Sequence, residues 1–226
     1  MILLKEADWF RQSVYKLDYV LMEIDFLKSV QKHSVYDQIR INTLLNLLKS
    51  PMEYAVQALT HFKGKKTTSF IPHKQKHYTK DKYKQYVQKK FGWIDEPILN
   101  ILNGLFEDDL YECFNDMHNN EKHSNINIQR KKIIENSGLG VYGNNIVINN
   151  VTIIRDEDSD NKGIVIDDKE IDITKNEGYT YEEELYFEYN NKEVFSFLDE
   201  VYHMVNNFVL DIKEYIENRR DECGRY

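Results

Sequence analysis

Three stretches of this chain repeat apolar residues at steps of three and four, and that pattern constrains the fold more than any other feature. The first carries Phe10, Val14, Leu17, Leu21, Ile24 and Leu27. The second carries Ile41, Leu45, Leu48, Met52, Ala55, Leu59 and Phe62, and the third Val194, Phe197, Val201, Val205, Phe208, Ile212 and Ile216. Each is one stripe of an amphipathic helix, and such stripes leave water by packing on one another. The break at His33-Ser34-Val35-Tyr36-Asp37 makes the first two an antiparallel hairpin. Ser50-Pro51-Met52-Glu53 reads as a capping box, but the apolar phase runs across Pro51. A kinked continuous helix is therefore expected.

Helical spacing also covers Lys80 to Phe91 and resumes at Glu96 through Ile98, Leu102 and Leu105. Asp108 or Asp109 is placed to cap a further helix with Leu110, Cys113, Phe114 and Met117. Phe62 to Tyr78 has no period, and Gly64 and Pro72 mark it as loop.

From Ile126 to Tyr189 the pattern changes to short β-branched runs. These are Ile146-Val147-Ile148, Val151-Thr152-Ile153-Ile154, and a hairpin of Ile164-Val165-Ile166 with Ile171-Asp172-Ile173. Glu184 to Tyr189 reads as a later strand. The expected class is α+β: an antiparallel helical bundle with a small antiparallel β insert before the C-terminal helix. The expected division is a bundle over 1–125, a β-rich insert over 126–190 and a helix over 191–226 that packs back on the bundle.

Hydrophobic residues make up 41% of the 226 and charged residues 30%, which suits a globular chain with a substantial core. No apolar run approaches the roughly 18 residues needed to span a bilayer. The start, Met1-Ile2-Leu3-Leu4-Lys5-Glu6, is too short in apolar character for a signal peptide. With only Cys113 and Cys223, a reducing cytoplasm is the expected compartment. The net charge of -8 hides a strong polarity. His61 to Lys90 holds ten lysines against Asp81, while Arg155 to Glu200 holds sixteen acids against five bases. Such a polarised chain can offer one face to phosphates and repel them at another, pair its own halves, or dock head-to-tail with a copy of itself.

Two constellations carry chemistry. On a helix Asp116, Asn119, Asn120 and His123 share a face. There His123 can move a proton near neutral pH, Asn119 and Asn120 orient a target, and Lys122 hold a phosphate. The same residues also read as a polar helix end with His123 bonded to backbone. The second constellation is Lys63, Lys65, Lys66, Lys74, Lys76, Lys80, Lys82 and Lys84 interleaved with Tyr78 and Tyr83. Lysines attract phosphate and aromatic rings stack on bases, the combination that single-stranded nucleic acid favours. A merely solvated lysine loop is the competing reading.

Other motifs fail on context. Gly138-Leu139-Gly140-Val141-Tyr142-Gly143 matches a dinucleotide fingerprint, but a strand follows where that site needs a helix N-terminus. His73 with His77, and His118 with His123, lack metal-ligand register, and Asp156, Asp158 and Asp160 lack the rest of a calcium loop. No metal or cofactor is expected.

Leu48-Lys49-Ser50-Pro51-Met52-Glu53-Tyr54 resembles the "LRSALDH" helix of a widespread bacterial group. In that group an "FPI"-like loop and then "NxDKHR" precede a β-rich tail. Phe70-Ile71-Pro72 stands at the loop, and Asn119-Asn120-Glu121-Lys122-His123-Ser124 stands at "NxDKHR". Lys49 and Ser124 take the places of arginines. The helical part is similar to HEPN domains, many of which are metal-independent ribonucleases of toxin and phage-defence systems. The resemblance puts the catalytic histidine at His123, with Met117, His118 or Asn119 where the family carries arginine.

Two functions follow. One is RNA binding along the lysine-rich segment, with cleavage by attack of the ribose 2′-OH on its own phosphate at His123, Lys122, Asn119 and Asn120. The other is a non-catalytic subunit of a defence or toxin–antitoxin complex that docks a partner protein or forms a homo-oligomer. Neither involves a membrane.

Overall fold

A computed structural model describes residues 6–30, 32–63, 67–142, 146–157, 164–166 and 169–223. The chain divides into two compact units, one of residues 1–126 with 197–226 and one of residues 127–196. The fold is mixed α and β. Among the described residues there are six helices, with a small antiparallel sheet preceding the C-terminal one. None of the described helices is long and apolar enough to cross a membrane.

In the first unit, α1 (Trp9–Lys28) starts where the Asp8 carboxylate accepts the Arg11 N–H, and it buries Ser13, Leu17, Val20, Ile24 and Leu27. The seam is turned slightly from the expected stripe, since Val20 is buried while Val14 and Leu21 are half-buried. α2 (Val35–Phe62) opens with a reciprocal capping box between Ser34 and Asp37. It is one continuous helix with Pro51 inside it. Ser50 is no N-cap, because its hydroxyl donates to the Asn46 carbonyl at 3.1 Å.

α3 (Lys80–Phe91) is capped by Thr79 and ends at Gly92, whose φ of 79° is the left-handed conformation that glycine adopts freely. α4 (Glu96–Gly104) is capped by Asp95. α5 (Leu110–His123) has Asp109 at its N-cap without a side-chain bond, and Asp108 instead accepts the Leu110 N–H at 2.8 Å.

α6 (Val194–Cys223) carries the third stripe, and Val194, Phe197, Val201, Val205, Phe208, Ile212 and Ile216 are all buried. From Phe197 onward it packs with α1 and with the α3–α4 link. Lys28 pairs with Asp199 at 2.8 Å, and Tyr215 donates to Asp95 at 2.6 Å while stacking on Trp93. An aromatic cluster joins the loop, α3 and α5. Phe106 meets Tyr83, Tyr111 and His73 edge-on, at centroid distances of 5.9, 5.2 and 5.4 Å.

In the second unit β1 (Gln129–Asn136) is the central strand, flanked antiparallel by β4 (Thr152–Asp156) and β7 (Thr180–Phe187). β2 (Leu139–Tyr142) and β3 (Ile146–Asn149) form a hairpin, as do β5 (Ile164–Ile166) and β6 (Lys169–Ile171). The buried Glu135 carboxylate is held by Arg155 at 2.9 Å and by the Tyr179 hydroxyl at 2.7 Å. Burial, and then that hydrogen bond, push the Tyr179 hydroxyl up to about 12.

The Gly138–Gly140 motif is a turn into β2. Gly138 has φ +57°, and a Cβ there would run into the Glu177 carbonyl oxygen. Gly138→Ala is therefore expected to cost on the order of 2–4 kcal/mol in this unit, from strain and clash together. Hydrogen exchange of the Leu139 amide, which donates to the Glu177 oxygen at 2.8 Å, reads that loss directly.

Candidate nucleic-acid interface

α3 spends its apolar residues on the core. Tyr83, Val87 and Phe91 recur one turn apart and are fully buried. Tyr83 is therefore a core residue and offers no stacking surface. Its hydroxyl donates to the Pro72 carbonyl at 2.8 Å, and burial drives its pKa far upward.

The outward side of α3 is different. Lys82, Tyr86 and Lys90 follow one another there at i, i+4 and i+8, and Tyr78 stands in the loop just before the Thr79 cap, with both tyrosines half-buried. Lys82 Nζ lies 5.0 Å from the Tyr78 centroid, and Lys90 Nζ lies 5.5 Å from Tyr86 and 5.3 Å from Phe70. Tyr78 and Tyr86 meet edge-on at 5.8 Å, and Phe70, on the loop, is 48% exposed. Burial, then the neighbouring Tyr78, raise the Tyr86 pKa, so its ring is neutral.

The lysines expected to bind nucleic acid separate into groups. Lys80 and Lys84 both pair with Glu96, and Lys76 pairs with Glu112. Lys63 lies over the rings of Trp93 and Phe62, and Lys74 over Tyr83. Lys65 and Lys66 lie outside the described residues. Among the described residues, no carboxylate pairs with Lys82, Lys89 or Lys90. Of these three, Lys89 and Lys90 were not singled out by sequence. Repeated ring and lysine positions one turn apart along Lys80 to Phe91 were the available signal.

The end of α5 holds the expected proton-transfer group. Asn119, Asn120, Lys122 and His123 are all exposed in its last turn, and the Ser124 and Asn125 amides close the helix onto the Asn120 carbonyl. This places the four on one helix end.

A buried polar seam between α2 and α5 was missed by the sequence reading. Lys49, only 7% exposed, donates to the Tyr111 hydroxyl at 3.0 Å and to Asn115 Oδ1 at 2.8 Å. Its ammonium also lies 4.7 Å from the Tyr111 ring centroid. Among the described residues no carboxylate is in ion-pair contact with it. Burial accordingly pulls its pKa down to about 8, opposed by the charge of Glu53.

His118 is also buried, and its Nδ1 has no hydrogen-bond partner. Burial, then the charges of Lys49 and Lys122, bring it down to about 4, against the Asn119 hydrogen bond. At neutral pH His118 is uncharged. Asn46 donates to Glu121 along the same seam. The signal was present in sequence: Lys49 is in phase with Leu45, Met52 and Val56, and His118 with Tyr111 and Asn115.

Among the described residues, no group of three or more His, Cys, Asp or Glu side chains is placed to hold a metal ion. Compared with known proteins, the chain matches no family model, no curated protein and no solved structure.

Proposed function

We propose that this is an HEPN-like protein that binds single-stranded RNA along the outer face of α3. The observation that carries the reading is the run of Tyr78, just before α3, and Lys82, Tyr86 and Lys90 on it, in which rings alternate with ammonium groups that pair with no carboxylate among the described residues. A base entering against Tyr78 or Tyr86 displaces the ammonium above the ring. That ammonium then swings to the flanking phosphate, so one rearrangement supplies both stacking and charge. Phe70 adds a ring beside Lys90.

Under this reading the exposed end of α5 is where RNA would be turned over. His123 would take the proton of the attacking 2′-OH and return it to the 5′-oxygen as the P–O5′ bond breaks to leave a 2′,3′-cyclic phosphate, Lys122 would counter the phosphate, and Asn119 and Asn120 would orient it. The test is incubation of wild type and His123→Ala with total RNA in EDTA, followed on native and denaturing gels. The expected result is a shifted RNA band with both proteins. Cleavage by wild type alone would add catalysis at His123. No shift at any protein concentration would overturn RNA binding.

A second reading, a protein-interaction subunit of a defence or toxin–antitoxin assembly, is favoured by the outer face of α1. Tyr15, Tyr19, Met22 and Phe26 recur at helical spacing there and are 37, 49, 68 and 48% exposed. An apolar stripe of that length on a surface helix is characteristic of an interface. Under it, the purified chain forms a homo-oligomer, and Met22→Glu shifts the light-scattering mass to that of the monomer. A monomeric wild type would contradict the homo-oligomer, and turnover of RNA would contradict the reading as a whole.

A further inference from the structure

A groove between α1, α2 and α6, with a volume of about 440 Å³, is separate from both surfaces described above. That volume lies in the range of small-molecule sites. Its lining is mixed in a specific way. Trp9, Tyr54 and Phe62 supply ring surfaces, and Gln57 supplies an exposed amide. Gln12 gives one amide proton to the Ala7 carbonyl at 2.8 Å, and its side-chain oxygen is an acceptor. His61, Thr67 and Arg220 are its other polar members, Arg220 as an exposed cation.

Arg220 lies over the Phe62 ring at 5.9 Å, and among the described residues no carboxylate pairs with it. A guanidinium beside aromatic walls has a fork of N–H donors suited to two oxygens of one anion. We infer that this groove binds a small planar aromatic carboxylate. Its ring lies against Trp9, Tyr54 and Phe62, and its carboxylate is held by the Arg220 fork. The volume admits one small ring system. None of the lining residues belongs to α3, so the inference does not depend on RNA binding.

Trp9 and Trp93 are the only tryptophans in the sequence, so Trp93→Phe makes Trp9 a reporter inside the groove. Anthranilate, which accepts excitation energy from tryptophan, is the probe, with anthranilamide and acetate as controls lacking the charge or the ring. The expected result is saturable energy transfer from Trp9 at sub-millimolar anthranilate. Binding should weaken at least about tenfold for anthranilamide and for Arg220→Ala. In Ala58→Phe, which fills the groove, it should be lost, with circular dichroism confirming that both variants fold.

Two results would overturn the inference. One is a titration still linear at about 10 mM anthranilate, beyond the range of specific small-ligand affinity. The other is an affinity unchanged in folded Arg220→Ala and Ala58→Phe.

Discussion

Replacing Lys82 and Lys90 together by glutamate is expected to weaken single-stranded RNA binding by at least about 100-fold. Each lysine loses a charge-assisted phosphate contact of about 1.5–3 kcal/mol, and the carboxylate that replaces it repels the strand. The same change should reduce the salt dependence of binding by roughly 1.4 in log–log slope, because about 0.7 of a counterion is released per phosphate contact on a single strand. Fold should be unaffected, since the buried side of α3 is Tyr83, Val87 and Phe91. Lys80→Glu with Lys84→Glu makes the control. Those two lysines already share Glu96, so their loss should cost less affinity than the outer pair. Equal losses in the two double variants would assign binding to diffuse charge and not to the ring-bearing face.

The second large effect concerns stability against pH, and it comes from the α2–α5 seam. The folded state lowers Lys49 from 10.5 to about 8, so between those values the unfolded chain binds more protons. Stability therefore rises with pH through that window, by about 3 kcal/mol in the limit of full burial. Below about pH 8 the folded state bears the whole cost of the buried charge.

His118 acts in the same sense at lower pH. Its pKa falls from 6.5 to about 4 on folding, so stability is gained as pH rises between those values. That gain is on the order of 2 kcal/mol once solvent screening is allowed for. Denaturant unfolding from pH 4 to 9 should show two rising segments, before the tyrosines that folding holds protonated, Tyr83 and Tyr111 among them, turn the curve down near pH 10. Lys49→Met should abolish the upper one and His118→Gln the lower one. At pH 7 Lys49→Met relieves the buried charge but leaves the Tyr111 hydroxyl and Asn115 oxygen without their donor, so its net effect there should be within about 2 kcal/mol of zero. An upper segment that persists in Lys49→Met would remove Lys49 as its source.

The long helices were legible because their stripes are long and strictly periodic. Leu45, Leu48, Met52, Ala55 and Leu59 are all buried as their spacing requires. Where lysine density dominated the sequence, it concealed the same rule. Tyr83 read as part of a basic aromatic run, whereas its phase with Val87 and Phe91 puts it in the core. Lys49, named only through the resemblance, was not read as buried for the converse reason, a charge within an apolar phase, and Tyr111 and Asn115 supply its partners across the seam. The outer stripe of α1 went unread because Tyr15, Tyr19, Met22 and Phe26 are separated from the core stripe by a fraction of a turn. β1 carries Arg130, Lys131 and Lys132 behind its first residue, and its identity as the central strand comes from pairing with β4 and β7, which no local pattern encodes. The groove combines residues from the two ends of the chain, so only tertiary structure brings Trp9 and Arg220 to one lining.

The measurement that bears most directly on the central claim is fluorescence anisotropy of a labelled single-stranded RNA and its duplex, titrated with wild type and with the Tyr78→Ala, Tyr86→Ala double variant. Loss of stacking costs about 1–3 kcal/mol per base, so the account predicts that the double variant binds the single strand at least tenfold more weakly. It also predicts that the duplex, whose bases cannot reach the rings, binds weakly to both proteins. Equal affinity of wild type for single strand and duplex, with no loss in the double variant, would contradict it.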